Sequence, residues 1–121
     1  MRPAAAVLTG RRVLLVEDDY FIAADLRTWF EESGAEVLGP VPSVDEALAL
    51  IAGTDAIDAA VLDINLQDDL VYPVANALRA RGVPFLFATG YDLTVVPPPH
   101  GGVPLCQKPI DPQMVAKALF G

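Results

Sequence analysis

The sequence predicts an α/β domain with a parallel sheet, and three observations carry that prediction. Short apolar runs alternate with segments of helical period, the runs are continuous rather than alternating, and polar residues capable of chemistry follow four of the runs. Continuous apolar runs are what a sheet buried on both faces requires, and parallel strands need crossover helices that cover those faces. Val13 to Val16 is the first strand. A helix over Tyr20 to Glu32 places Ile22, Leu26, Trp29 and Phe30 on one face and stops at Gly34. Glu36 to Leu38 is a second, weaker strand closed by Gly39-Pro40. Ser43 and Glu46 form a capping box ahead of a helix that buries Val44, Ala47, Leu48 and Ile51. Ala59 to Leu62 is the central strand, and Val71, Val74, Ala75 and Leu78 mark a third helix ending near Gly82. Pro84 to Ala88 and Val103 to Cys106 are the remaining strands, and Asp111-Pro112 starts the last helix, packed through Val115, Ala118 and Leu119.

One step of the alternation is missing. The segment from Gly90 to Gly102 contains Pro97, Pro98 and Pro99 with Gly101 and Gly102, and proline removes helix donors and clashes with the preceding turn. It reads as an extended loop with at most one helical turn. With 121 residues and no internal linker, the chain is expected to form one domain, residues 12–121, behind an N-terminal extension over 1–11.

Formal net charge is −8, from sixteen acidic and eight basic side chains, which argues against a nucleic-acid ligand and suits a site that concentrates carboxylates around a cation. A single cysteine, Cys106, excludes an internal disulfide and fits a reducing compartment. No apolar run approaches the roughly 18 residues of a membrane span. The run after Arg11-Arg12 ends at once in Glu17-Asp18-Asp19, too short for a signal peptide. A cytoplasmic protein without membrane partners is the expectation.

Ligands of open α/β sheets sit at the carboxyl ends of the strands. There the first strand delivers Glu17, Asp18 and Asp19, the third Asp63 with Asn65 two residues on, the fourth Thr89, and the fifth Lys108-Pro109. Carboxylates packed together repel one another and call for a cation at neutral pH. Oxygen ligands alone select a hard ion such as Mg²⁺, with Mn²⁺ the other candidate. Phosphoryl transfer asks for positioning and charge neutralisation. Asp63 is therefore the candidate nucleophile, with Lys108 and the Thr89 hydroxyl on the phosphoryl oxygens. Asp19 is assigned to capping the helix that follows it.

At these residues, and from Arg12 to Leu119, the chain resembles the receiver domain of two-component response regulators, whose expected fold is flavodoxin-like with five parallel strands in the order 2-1-3-4-5. The resemblance implies that Asp18 ligates Mg²⁺ directly and Glu17 through water. It further implies that Asp63 both ligates and is phosphorylated, that the Asn65 backbone carbonyl ligates, and that Lys108 pairs with the acceptor ahead of a cis bond to Pro109. Receivers usually carry an aromatic three residues before the lysine, and here that residue is Leu105; the fourth helix is shortened or absent. These departures, with the run Pro84 to Tyr91 and the segments Asp63 to Leu66 and Val71 to Val74, look like the FAT-GUY subgroup of stand-alone receivers from alphaproteobacteria. In that subgroup the switch aromatic lies just past the threonine, which nominates Tyr91 beside Thr89. The implied partner is a histidine kinase, of the HWE or a related class, or a histidine phosphotransfer protein.

Two other classes compete. A Mg²⁺-dependent phosphohydrolase with an aspartyl nucleophile would carry a second Asp two residues on as general acid, and Asn65 occupies that position. A pseudo-receiver would not keep Asp63, Thr89 and Lys108 together. The expected protein is a phosphoacceptor whose only reactions are its own phosphorylation and dephosphorylation. No output domain is expected after Phe120-Gly121, so the protein would signal through an unknown target protein or drain phosphoryl groups from a kinase. Cys106 reads as a small buried hydrophobe, His100 as a loop residue, and Asp68-Asp69 as a solvated acidic loop.

Overall fold

Strand-forming runs and capped helices fold in the computed structural model into a five-stranded parallel sheet covered on both faces, described over residues 7–66, 69–90 and 102–121. The elements are β1 (Arg12–Val16), α1 (Tyr20–Glu32), β2 (Glu36–Val41), α2 (Val44–Ala52), β3 (Ala59–Asp63), β4 (Asn65–Leu66), β5 (Asp69–Leu70), α3 (Tyr72–Ala80), β6 (Phe85–Thr89), β7 (Leu105–Gln107) and α4 (Pro112–Phe120). Sheet order is β2-β1-β3-β6-β7, the expected 2-1-3-4-5 once β4 and β5, a separate two-stranded ribbon, are set aside. The described residues contain four helices. The proline-rich interval expected to replace a further helix, with Tyr91 and His100, falls at 91–101, outside the described residues, as does Asp68.

Side chains from alternate strand positions divide between two apolar layers. Leu14, Val16, Ala60, Leu62, Phe85 and Phe87 pack with α2 and α3, while Val13, Leu15, Val61 and Leu86 pack with α1 and α4. Phe87, fully buried, meets the rings of Tyr72 and Phe85 edge-on, each at 5.7 Å between centroids. The caps form as the sequence dictates. Asp19 accepts from the amides of Phe21 and Ile22, Ser43 from that of Glu46, and Asp111 from that of Met114. No helix among the described residues is long and apolar enough to cross a membrane.

Four details correct the sequence reading. β2 does not close at Gly39-Pro40 but runs through to Val41. Leu14 pairs with Leu38 and Val16 with Val41, so β2 spends one residue more than β1 over the same interval, a bulge built on Gly39 at φ +92°. Secondly, the last strand is Leu105–Gln107 rather than 103–106: Pro104 has no N–H for the ladder, and its carbonyl accepts from Phe87 N at 2.9 Å. This is an edge strand, so Cys106 is only half-buried. Thirdly, Asp69 is not in an open loop; β5 pairs antiparallel with β4, matching Asn65 to Leu70 and Leu66 to Asp69. Lastly, Trp29 lies at the margin of its helix's apolar face and is 37% exposed.

Candidate functional site

Parallel register brings the chemistry to one edge. Val16 is level with Leu62, Asp63 with Ala88, and Thr89 with Gln107, so the residues ending or following β1, β3, β6 and β7 meet at the carboxyl end of the sheet. Two backbone bonds extend the ladders into the site. Glu17 N donates to Val41 O at 3.0 Å, and Lys108 N donates to Thr89 O at 2.8 Å. The β2 bulge therefore positions Glu17, and β6 positions Lys108. The peptide bond between Lys108 and Pro109 is cis.

Glu17, Asp63 and Thr89 are the buried polar or charged residues among those described, at 3%, 7% and 8% exposure. Lys108 Nζ lies 2.6 Å from Glu17 Oε1 and 3.0 Å from Asp63 Oδ2. The other carboxylate oxygens are also engaged: Asp19 N donates to Glu17 Oε2 and Asn65 N to Asp63 Oδ1, both at 3.2 Å. Asp19 spends its own carboxylate on the first turn of α1, so it caps rather than joins the cluster. Asp18 does join it: Glu17, Asp18 and Asp63 each offer a carboxylate oxygen, and these lie within 4.8 Å of one another. Three anionic oxygens at that spacing fit a hard divalent cation.

The electrostatics show why one lysine is not enough. Burial, with Asp63 adding to it, pushes the Glu17 carboxyl up to about 7. Burial alone would pull Lys108 down, but the two carboxylates outweigh it and hold the ammonium above its usual range. The metal-free pocket thus carries more negative charge than Lys108 neutralises. The folded state keeps a proton on Glu17 that the unfolded chain releases near pH 4.5. The metal-free protein should therefore lose stability as pH rises from about 4.5 to about 7, by on the order of 2–3 kcal/mol. Urea unfolding in chelator at pH 5 and pH 8 reads this as the difference between wild type and Glu17→Gln. A pH dependence identical in the two proteins would contradict it.

A groove leads away from the cluster between α1 and the start of α4. Its inner part, about 350 Å³, is lined by Ile22, Leu26, Trp29, Lys108, Pro109 and Ile110. Trp29 and Pro109 also line the outer part, about 570 Å³, with Ser33, Pro112 and Gln113. Two features at the carboxyl edge of the sheet, outside this groove, escaped the sequence reading. The β4–β5 ribbon is too short to show a period, and the aromatic pair Tyr20 and Phe21, 78% and 77% exposed, sits in a helix whose apolar stripe draws attention elsewhere. Tyr91 lies outside the described residues.

No protein-family model and no curated protein matches the chain. Solved structures do. The solution structure of SdrG from Sphingomonas melonis Fr1 is 41% identical, with 93% of each chain covered and a TM-score of 0.76. A BeF3-activated conformation of SdrG, from Pseudomonas melonis Fr1, is 40% identical over 88% of this chain and 91% of that one, at TM-score 0.70. The response regulator PhyR from Brucella abortus is 29% identical, with a TM-score of 0.76 over 97% of this chain and 51% of its own.

Proposed function

The chain belongs to the response regulator receiver family, and from that premise we propose that it accepts a phosphoryl group on Asp63 from a histidine kinase or a histidine phosphotransfer protein. One observation carries the reading. Asp63 is a buried carboxylate with an ammonium 3.0 Å from Oδ2 and two further carboxylates close enough to share a cation with it.

Asp18, Asp63, the Asn65 carbonyl and, through water, Glu17 would hold Mg²⁺ or Mn²⁺, which would supply positive charge against the phosphoryl oxygens. Everything else falls to the chain. Asn65 N, on Oδ1, orients the Asp63 carboxylate so that Oδ2 faces Lys108. An Asp63 oxygen attacks phosphorus, the bond from phosphorus to the donor's imidazole nitrogen breaks with its electron pair leaving on nitrogen, and an acyl phosphate forms. Lys108 stays beside the acceptor and offsets the charge that arrives there. Thr89, buried at the end of β6, donates its hydroxyl to a phosphoryl oxygen. Thr89 is a candidate switch residue, since a phosphoryl group on Asp63 adds roughly 1.5–2 negative charges and strong acceptors at this edge of the sheet, and Tyr91 is the second candidate, nominated by the family resemblance. Water later hydrolyses the acyl phosphate, and no other substrate is involved. Output then runs through contacts with a target protein, or the chain serves as a phosphate sink.

The test is incubation with a phosphorylated histidine kinase, or with a small phosphodonor, in Mg²⁺ and in chelator, read by intact mass. One added phosphoryl group in Mg²⁺ and none in chelator is expected. No gain with any donor, or an equal gain without divalent cation, would overturn the proposal.

A further inference from the structure

Residues 7–11, just ahead of β1, are built into the body of the protein. Leu8 is completely buried, in the same apolar cluster as Leu26 and Phe30 of α1 and Val115 and Ala116 of α4. Gly10 N donates to Gly34 O at 2.8 Å, and Thr9 Oγ1 donates to Ser33 O at 3.4 Å, both just past the end of α1. Thr9 is seated directly on Gly34. A Cβ there would come within 3.2 Å of the threonine side chain, and Gly34 has φ +85°. Arg11 reaches the other helix, its guanidinium stacked 4.0 Å over the ring of Phe120 in the last turn of α4. The same guanidinium is steadied by Arg11 Nε donating to Val7 O at 3.0 Å. A cation near a helix C-terminus is also favoured by the helix dipole.

These contacts join the far ends of two helices that both start at the carboxyl edge of the sheet and run back along it. The groove that opens at Lys108 lies between the same two helices, with Trp29 on one wall and Pro109 to Gln113 on the other. We propose that residues 7–11 form a strap that fixes the spacing of α1 and α4, and with it the width of the groove leading to the acidic cluster. Leu8 is the wedge between the helices, Thr9 and Gly10 bind the end of α1, and Arg11 binds the end of α4. Phosphorylation is not assumed, so the strap can stand or fall independently of the role of Asp63.

Trp29 is the chain's single tryptophan and lines both parts of the groove, which makes it a reporter already in place. Arg11→Ala and Leu8→Ala are compared with wild type by acrylamide quenching of Trp29 and by hydrogen exchange of α4. Arg27→Ala, which removes an exposed arginine of α1 away from the strap, is the control for loss of charge. Arg11→Ala is expected to raise the Trp29 quenching constant and to speed exchange of the last-turn amides of α4 several-fold, with its far-ultraviolet circular dichroism unchanged. Leu8→Ala should do the same more strongly; if it fails to fold, Arg11→Ala decides alone, because that side chain lies at the surface of the strap. Quenching and α4 exchange as in wild type in a folded Arg11→Ala protein would overturn the proposal, and so would equal changes in Arg27→Ala.

Discussion

Asp63→Asn is expected to take up no phosphoryl group under conditions in which the wild type gains one. The substitution keeps size and shape, and Asn Oδ1 can still accept from Asn65 N, as Asp63 Oδ1 does at 3.2 Å. Lys108 keeps its shorter partner, Glu17, at 2.6 Å, so the ammonium is not left without a counter-charge. What disappears is an anionic oxygen able to attack phosphorus, together with one of the three carboxylates that could hold a cation. Loss of uptake in a folded protein would therefore be a loss of chemistry. Intact mass after exposure to a small phosphodonor in Mg²⁺ checks it, and an undiminished gain in the variant would remove Asp63 from its role.

The second large effect lies away from the cluster. Gly39→Ala should lower unfolding free energy by about 2–5 kcal/mol, the sum of an unfavourable left-handed backbone and an overpacked contact. Gly39 has φ +92°, and a Cβ built on it would stand 2.8 Å from Val41 N and 2.9 Å from Leu15 O. Both are backbone atoms of paired strands and cannot swing aside. Val41 O accepts the Glu17 amide, so the displaced bulge should also slow phosphoryl uptake. Urea unfolding measures the first effect and a time course of intact mass the second. A stability change within about 0.5 kcal/mol, the range of ordinary surface substitutions, would show that the bulge tolerates a side chain.

Gly39 also marks where sequence reading failed, and for a physical reason. Glycine followed by proline usually ends a strand, since one supplies a left-handed φ and the other withholds a donor. Here Pro40 lies in an edge strand and the glycine absorbs an extra residue, so pairing resumes at Val41. The central strands were legible because burial on both faces leaves only apolar residues, and each run ends at the polar residue it delivers. That is why Glu17, Asp18, Asp63, Thr89 and Lys108 could be placed together from spacing alone. Asp19 was separable from its neighbours because a cap needs a side chain one residue before a helix. Contacts between residues distant in the chain were not legible. Nothing in the sequence says that Leu8 is buried, that Trp29 faces a groove, or that four residues after Asp63 pair as a ribbon. Each depends on how the helices settle over the sheet, a tertiary outcome that local period does not encode.

The central claim is that the acyl phosphate forms on Asp63, and its most direct test locates the bond chemically. Protein phosphorylated in Mg²⁺ is reduced with borohydride, which converts an aspartyl phosphate to homoserine, and is then digested and mapped by tandem mass spectrometry. Homoserine at position 63, at a yield matching the phosphoryl gain and nowhere else in the chain, is the expected result. Homoserine at another aspartate, or an unreduced Asp63 in a sample that carries the phosphoryl mass, would contradict it.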